Sequence, residues 1–190
     1  MPTELRKSML ERRRALPPEV VKQHSAVVCQ RLLSLPEFSA ATKSGIIGAY
    51  LGISGEIDPT ALLETPGIQI ALPVTTKGEH LRFVIPSGPL SAGPFGTRQP
   101  ETGSEVSPKE LALVLVPLVA ADHQGSRVGH GAGFYDRTFS FLQDARRIAG
   151  SSTPLLVGLC HDFQVVETVE PQPWDVPLDL LVTEIGLIRP

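Results

Sequence analysis

The segment Leu111–Arg137 has the sequence LALVLVPLVAADHQGSRVGHGAGFYDR, in which the most apolar run of the chain is followed directly by a glycine-rich stretch. The apolar run, Leu111–Ala121, has the composition of a buried strand. The stretch from Asp122 to Arg137 places three glycines at alternate positions and then begins an amphipathic Tyr-Asp-Arg segment. A strand, a flexible loop and a helix in this order are typical of an α/β sheet. We therefore expect the fold and a ligand site to be organised around this segment.

The length and composition of the chain are those of one globular domain. Its 190 residues, 42% hydrophobic and 19% charged, can bury a sizeable core. We predict a single domain over residues 1–190. The formal charge is −3, and no basic run follows the N-terminal region. Since nucleic-acid binding needs a clustered positive surface, we expect small-molecule partners and no nucleic acid.

No apolar run approaches the roughly 20 residues that cross a bilayer. The N-terminal arginines are not followed by an apolar stretch, as they would be in a secretory signal. The two cysteines, Cys29 and Cys160, match no metal or redox spacing. We expect them to be buried thiols of a reducing compartment, with a disulfide as the alternative. These patterns predict a cytoplasmic protein without a membrane segment, and a monomer is the default.

Apolar periodicity predicts helices alternating with short strands. The predicted helices are Thr3–Ala15, Pro18–Leu35, a short one from Ala61 to Glu64 after the N-cap Asp58, and Phe134–Arg147. The predicted strands are Gly45–Ile53, Ile68–Val74, Leu81–Pro86, Leu113–Leu118, Leu155–Leu159 and Leu178–Thr183. We predict a long loop over Leu90–Ser107, closed by a capping box from Ser107 to Glu110. The whole pattern predicts an α/β fold, a single three-layer domain with a mostly parallel central sheet.

The first predicted helix is strongly basic. Its apolar positions are Leu5, Met9 and Leu16, and the remaining surface carries Arg6, Lys7, Arg12, Arg13 and Arg14. Most of these side chains are expected to form a solvated face. The alternative is that one of them reaches an anionic ligand.

The glycine run Gly129-x-Gly131-x-Gly133 is neither a dinucleotide fingerprint nor a P-loop, because both need other spacings. It shares with them a strand, a flexible backbone and a helix N-terminus, which together present N–H groups to an anion such as phosphate. Arg127 would add a cation at the entrance, and Asp136 could hold Mg²⁺ against phosphate oxygens. The alternative is a glycine-rich turn that packs locally.

Glu56 is a second candidate, because it precedes the N-cap Asp58 at the end of a predicted strand. Ligands of open α/β sheets bind at that edge. The alternative is an exposed loop carboxylate.

Taken whole, DHQGSRVGHGAGFYDR resembles the nucleotide loop of the 5-formyltetrahydrofolate cyclo-ligase (methenyltetrahydrofolate synthetase) family. The family pattern is an Asp, a Gly and then R-[LV]-G-x-G-x-G-[YF]-Y-D-R. Four more segments resemble the same family in the same order: LRKSMLERRRALPPE, YLGISGEIDPT, PFGTRQP and WDVPLDLLVTE. The resemblance therefore spans nearly the full chain, and it implies a fold like those of sugar-phosphate isomerases and CoA-transferases.

The resemblance implies an ATP-driven ring closure on a reduced folate. Mg·ATP phosphorylates the N5-formyl oxygen of 5-formyltetrahydrofolate, N10 closes onto the activated carbon, and phosphate leaves. The products are 5,10-methenyltetrahydrofolate and ADP. Catalysis of this kind depends on positioning and charge neutralisation.

The resemblance also implies the site residues. Those expected at ATP are Arg6, Arg127, Gly129, His130, Gly131, Ala132, Gly133, Phe134 and Tyr135. Those expected at the folate are Leu51, Glu56 and Tyr135, with Glu56 bonded to the pterin. Tyr135 and Arg127 would be catalytic, and Asp136 and Asp175 would carry Mg²⁺.

The chain departs from the family pattern at Pro2 and Ala132, where lysines are common, and at Gln99 and Trp174. The alternatives are therefore a divergent folate- or nucleotide-binding paralogue with little turnover, and a sugar-phosphate isomerase or sensor on a similar fold. The intact run Tyr135-Asp136-Arg137 argues against the latter.

Overall fold

The computed structural model describes residues 2–146 and 153–190. Within these ranges the helices are α1 (Pro2–Arg14), α2 (Pro18–Ser34), α3 (Pro36–Ser44), α4 (Phe134–Thr138) and α5 (Leu142–Ala145). The strands there are β1 (Ile46–Gly48), β2 (Ile70–Val74), β3 (Arg82–Pro86), β4 (Leu90–Ala92), β5 (Arg98–Pro100), β6 (Gly103–Val106), β7 (Leu111–Pro117), β8 (Ala120–Ala121), β9 (Arg127–Val128), β10 (Leu155–Leu159), β11 (Leu180–Val182) and β12 (Leu187–Ile188). Single 3₁₀ segments lie at Pro59–Glu64, Pro94–Gly96, Pro108–Glu110 and Asp162–Gln164.

The main sheet has eight strands in the order β12-β11-β10-β7-β1-β2-β3-β6. Its five central strands, from β11 to β2, pair in parallel, whereas β12, β3 and β6 are antiparallel additions at the two sides. Strands β4 and β5 form one small hairpin, and β8 and β9 form another. The prediction of a mostly parallel sheet is confirmed.

Helices cover both faces of this sheet, as the side chains of β7 show. Leu113 and Leu115 point into the core formed with α2 and α3. Val114 and Val116 point to the opposite face, where they join the core that contains Phe139 and Leu142. Because successive side chains of a strand face opposite sides, one continuously apolar strand fills both cores. The predicted three-layer α/β architecture is confirmed.

Prolines set several helix boundaries. Pro18 occupies the first turn of α2, and Pro36 begins α3 shortly after α2 ends. A first-turn proline suits a helix start because its missing N–H would have no intrahelical partner there. The predicted N-cap is present, since the Asp58 side chain accepts from Thr60 N. The predicted capping box between Ser107 and Glu110 is also present.

The prediction of an unstructured loop over Leu90–Ser107 is wrong. The segment contains strands β4 and β5, a 3₁₀ turn, and β6, which pairs with β3 at the margin of the main sheet. In β6 only Val106 is buried. A strand with a solvated face lacks the apolar run that marks a central strand, and its polar composition therefore resembles that of a loop.

The prediction of one helix over Phe134–Arg147 is also wrong, and Arg147 lies outside the described residues. Helix α4 ends at Thr138, and the chain continues through a turn to α5. The Thr138 hydroxyl donates to Phe134 O at 2.7 Å and accepts from Leu81 N at 2.8 Å. Hydroxyl groups that bond the backbone compete with regular helix. The strand predicted over Gly45–Ile53 is also shorter in the structure, where it ends at Gly48.

The cysteines lie in the two cores as buried free thiols. Burial raises the pKa of Cys29 to about 11 and raises that of Cys160 further. Among the described helices, none has both the length and the apolar content that a bilayer crossing requires.

Candidate active site

The centre of the sheet holds a topological switch point. Strands β1 and β7 are adjacent and parallel, but the chain continues from β1 to β2 on one side and from β7 towards β10 on the other. Loops that leave such a pair in opposite directions open a crevice at the carboxyl ends of the strands. The loop after β1 carries Leu51 and Glu56, and the segments after β7 include the β8–β9 hairpin and the glycine run. The fold therefore brings together the two candidate regions.

The glycine run follows β9 and leads into α4. Gly131 and Gly133 have φ of +101° and +64°, backbone conformations that L residues with a side chain rarely adopt. Arg6, on α1, donates from Nε to Gly129 O at 2.9 Å. Helix α1 reaches this position because Met9 packs in the core that contains Val128 of β9.

Alternate residues of this run face two different cavities. The glycines at positions 129, 131 and 133 line a cavity of about 590 Å³, called here the arginine cavity, whose wall also includes Arg6, Arg127, Asp136, Arg137 and Asp175. The residues that alternate with these glycines, His130, Ala132 and Phe134, line a second cavity of about 330 Å³, called here the Glu56 cavity. Its wall also includes Arg13, Leu51, Glu56, Phe95 and Tyr135. One stretch of backbone thus separates the two cavities.

The arginine cavity has the charge and backbone donors that an anion requires. Arg6 and Arg137 are both partly exposed, and Arg137 is oriented by a 2.7 Å bond from Nη1 to Ala132 O and by the Phe134 ring below it. Helix α4 has only five residues, so its dipole is smaller than the predicted long helix would supply. Arg6 and Arg137 therefore supply exposed positive charge to a wall that also carries three carboxylates.

Arg127 is not the open cation expected at the entrance. Its side chain is buried, with Nη2 2.6 Å from Asp136 Oδ1 and Nη1 bonded to Val176 O. Asp136 Oδ1 also accepts from Val176 N at 3.2 Å. Arg127 therefore anchors Asp136 in the wall of the cavity, and that part of the prediction is wrong.

The carboxylates of the arginine cavity fit a magnesium ion in kind. Both polar contacts of Asp136 within the described chain use Oδ1, and Asp175 uses Oδ2 to accept from Gln172 N at 2.8 Å. The second oxygen of each carboxylate therefore makes no polar contact with the described residues. Since Mg²⁺ is commonly held by one or two carboxylates together with phosphate oxygens, these two residues could hold it beside a bound phosphate chain.

A buried arginine organises the Glu56 cavity. Arg13, only 1% exposed, donates from Nε to Ser54 O at 3.2 Å and from Nη1 to Leu118 O at 3.1 Å. Its Nη2 lies 3.0 Å from His130 Nε2 and 3.5 Å from Glu56 Oε1. Because arginine can only donate, His130 accepts at Nε2 and carries its proton on Nδ1.

The same burial changes the protonation of both neighbours. Burial raises the pKa of Glu56 to about 7, although Arg13 and the Ile53 N–H oppose the shift. Partial burial, with Arg13, Arg6 and Arg14 nearby, lowers the pKa of His130 to about 4. The site therefore holds a neutral imidazole beside a carboxyl group that titrates near neutrality, which is the range useful for proton transfer or switchable hydrogen bonding.

The rest of the Glu56 cavity combines apolar side chains with further polar ones and includes strained backbone. Among the described residues, Ser54 and Phe95 are the two non-glycines with positive φ, and both line this cavity. Phe95 is 66% exposed and contacts Phe134 edge-on, with ring centroids 6.3 Å apart. Burial, followed by the Glu56 charge, raises the pKa of Tyr135, so its hydroxyl stays protonated as a donor. Strain and exposed aromatic area favour a ligand site for a planar ring.

Comparison with known proteins identifies the family. The sequence profile of the 5-formyltetrahydrofolate cyclo-ligase family matches residues 2–184. The chain is 37% identical to 5-formyltetrahydrofolate cyclo-ligase of Haemophilus influenzae over 85% of its own length and 88% of the relative's. It is 32% identical to that of Escherichia coli K12, over 91% and 94%. The chain belongs to the 5-formyltetrahydrofolate cyclo-ligase family.

Solved structures agree with this assignment. The NMR structure of 5,10-methenyltetrahydrofolate synthetase from Aquifex aeolicus matches with a TM-score of 0.80 and 35% identity, over 99% of this chain and 92% of that one. The synthetase of Mycoplasma pneumoniae, at 21% identity and a TM-score of 0.73, shows the same fold over 96% and 98%. The predicted family, enzyme class and cyclisation of 5-formyltetrahydrofolate are confirmed. The family implies ATP as co-substrate. The individual site residues stay predictions.

Sequence analysis did not single out Arg13, because most of the basic side chains of α1 were expected to form a solvated face. A signal was available: Arg13 lies four residues after Met9 and three before Leu16, so it falls on the apolar stripe of that helix. A charged residue on such a stripe is buried only when partners satisfy it, and those partners come from distant segments. Phe95 was quoted only as part of a family segment.

Replacing Arg13 should destabilise the enzyme strongly. Arg13→Leu removes the donors to Ser54 O and Leu118 O and leaves Glu56 buried without a cation, which typically costs about 3–5 kcal/mol. The loss should be larger at pH 8 than at pH 5, because a protonated Glu56 needs no counterion. Urea unfolding at both pH values measures this loss in the free energy of unfolding.

The control is Arg14→Leu, an exposed neighbour expected to change the free energy of unfolding by about 0.5 kcal/mol or less. Equal effects of the two substitutions would contradict the role of Arg13.

Proposed function

We propose that this cyclo-ligase couples ring closure of 5-formyltetrahydrofolate to the conversion of ATP to ADP and phosphate, with Mg²⁺ as the metal. One observation carries the proposal: a single glycine run forms the common wall of a cavity lined by arginines and carboxylates and of a cavity with a buried carboxyl group. A phosphoryl donor and its acceptor must meet across a short distance. Two cavities divided by one stretch of backbone suit this requirement.

ATP would occupy the arginine cavity. Arg6 and Arg137 would face the phosphates, and the glycine backbone would allow their close approach because no side chain intervenes. Asp136 and Asp175 would hold the Mg²⁺, which would neutralise phosphate charge during transfer. Arg127 would act as a positioning residue, since its bond to Asp136 Oδ1 orients that carboxylate.

The folate would occupy the Glu56 cavity. Ionised Glu56 would accept hydrogen bonds from the N–H groups of the pterin, and Leu51 would contact the ring. Phe95 offers exposed aromatic area for stacking. Tyr135 lies next to Asp136 in sequence but lines the opposite cavity, so its hydroxyl would orient the N5-formyl group at the boundary.

The reaction would then proceed in two displacements. The N5-formyl oxygen attacks the γ-phosphorus, and the bond from that phosphorus to the β–γ bridging oxygen breaks to release ADP. N10 then attacks the formyl carbon and gives up its proton, and phosphate departs with the former formyl oxygen. The side chains of this site do no covalent chemistry, so positioning and charge neutralisation supply the rate enhancement.

A direct assay tests the proposal. The purified protein with 5-formyltetrahydrofolate, ATP and MgCl₂ should develop the absorbance of the methenyl product and release one ADP for each product formed. Measurable folate binding without product would instead support the divergent, non-catalytic paralogue. Product formation without ADP release would contradict the coupling to ATP.

Asp136→Asn should abolish most magnesium-dependent turnover while preserving the fold. The amide oxygen can still accept from Arg127 and Val176 N, but the charge that would hold the cation is lost. We expect kcat/KM for Mg·ATP to fall by about 100-fold or more, the scale of losing one electrostatic contact at a transition state. Thermal unfolding checks the fold.

The matched control for this substitution is Glu170→Gln, which changes another carboxylate in the wall of the same cavity. It should keep kcat/KM within about twofold, since it alters neither Asp136 nor Asp175. If Asp136→Asn keeps the wild-type rate at limiting Mg²⁺, the metal assignment is wrong.

Folate affinity should depend on pH through Glu56. The free carboxyl has a pKa of about 7, and the ionised form is the one that accepts from the pterin. Binding therefore lowers this pKa, so affinity should rise from pH 5.5 to about pH 7.5 and then level off. Titration calorimetry with 5-formyltetrahydrofolate should show this rise in the wild type and a flat profile in Glu56→Gln. Glu19→Gln, an exposed change on α2, should retain the wild-type profile. A rise that persists in Glu56→Gln would assign the titration to another group.

A further inference from the structure

A second cluster of metal-binding side chains lies outside both cavities. His24 comes from α2, His161 follows β10, and Glu184 follows β11. Their ligand atoms all lie within 4.8 Å of one another. The two Nδ1 atoms are 2.9 Å apart, and His24 Nδ1 is 3.4 Å from Glu184 Oε1. The proposed reaction uses none of these three residues.

The hydrogen bonds of His161 define its tautomer. Its ring is fully buried, and Nε2 lies 2.9 Å from Gly55 O. A carbonyl oxygen can only accept, so Nε2 carries the proton and Nδ1 of the neutral ring presents a lone pair to His24 and Glu184. Metal-binding histidines show the same arrangement, in which the second ring nitrogen donates to a carbonyl oxygen.

Hydrogen bonds also orient the Glu184 carboxylate within this cluster. Its Oε2 accepts from Asp162 N at 2.9 Å, and this bond directs Oε1 towards His24 Nδ1. The backbone of Glu184 is held as well, because Arg31 Nη2 donates to its carbonyl oxygen at 3.1 Å. The carboxylate and the buried imidazole are therefore held in place by hydrogen bonds before any ion binds.

We propose that His24, His161 and Glu184 form a binding site for a divalent transition metal, with Zn²⁺ as the ion that the donor set fits best. Two imidazoles and one carboxylate with an open fourth position are an established zinc ligand set. Imidazole nitrogen suits Zn²⁺ far better than Mg²⁺, which prefers oxygen. The site is thus chemically distinct from the carboxylates of the arginine cavity.

Two of the three pairs of ligand atoms already lie close to the spacing that the ion requires. Nitrogens bound to zinc at the usual length are roughly 3.3 Å apart in a tetrahedral site, so the 2.9 Å contact has to open by a few tenths of an ångström. The side chain of His24 is 24% exposed and that of Glu184 is 13% exposed, so water can reach the fourth position. His24 can move its proton to Nε2 when Nδ1 binds the metal.

A hydrogen bond of His161 would connect the metal site to the candidate active site. The His161 Nε2–H bond goes to Gly55 O, and Gly55 directly precedes Glu56. Metal binding at Nδ1 would strengthen this bond by polarising the ring, and it would also cross-link α2 to the ends of β10 and β11. The ion would therefore stabilise the fold and the segment that carries Glu56 without taking part in the chemistry.

Metal titration of the full chain tests this inference. Protein stripped with EDTA and dialysed, without ATP or Mg²⁺, is titrated with CoCl₂ and ZnCl₂. One equivalent of Co²⁺ should produce the strong visible absorption of a tetrahedral site, and Zn²⁺ should displace it. His24→Ala and Glu184→Gln should each weaken Zn²⁺ binding by at least ~100-fold, since even outer ligands are worth 10–100-fold. Zn²⁺ should raise the Tm of the wild type but not of these variants.

The variants are chosen so that loss of folding does not imitate loss of metal. Ala is well accepted at the partly exposed His24 position, and Gln at position 184 keeps the acceptor for Asp162 N. Two controls should bind Zn²⁺ like the wild type: His123→Ala, an exposed histidine outside the cluster, and Asp136→Asn, in the arginine cavity. Wild-type binding no tighter than that of His24→Ala would overturn the proposal, as would binding lost in Asp136→Asn but kept in Glu184→Gln.

Discussion

Burial of the Arg13 guanidinium is the constraint on which the geometry of this site depends. Moving a charged group out of water costs several kcal/mol unless its donors are paired. Arg13 meets that cost with four partners from three other segments: Ser54, Glu56, Leu118 and His130. Helix α1, the loop after β1, the end of β7 and the glycine run must therefore lie at fixed distances from one another. A residue at the centre of the charge network thus also determines the shape of the cavity.

The glycine run has a second role that depends on its alternation. Neighbouring residues of this run line opposite cavities, so a sequence that alternates glycine with other residues has one bare face and one face with side chains. The bare face opens to the arginine cavity, where Arg6 bonds directly to the loop backbone at Gly129 O. The other face presents His130, Ala132 and Phe134 to the Glu56 cavity. One short segment can in this way serve two substrates of different chemistry.

Much of this molecule could be predicted from the sequence because its strongest signals are local. The strand Leu113–Leu118 was identified as central because a strand buried on both faces is apolar at every position. Asp58, Ser107 and the helix-starting prolines act on neighbouring backbone groups, so their effects follow from spacing alone. The errors fell where a tertiary contact outweighed local preference, as in strand β6, with its solvated face, and in the helix interrupted near Thr138, whose hydroxyl bonds Leu81.

The sequence by itself determined the α/β class, the strand at its centre, the family and the pair of regions, around Glu56 and around the glycine run, that form the site. Only the tertiary structure decided how charges in those regions are used. Arg127 and Arg13 look alike in sequence as basic side chains near polar segments, yet both are buried and paired with carboxylates. The partners of Arg13 lie up to 117 residues away along the chain. Electrostatic energy depends on distance and burial in space. Helical spacing can place a residue on a buried face, but it carries no information about which distant group becomes its partner.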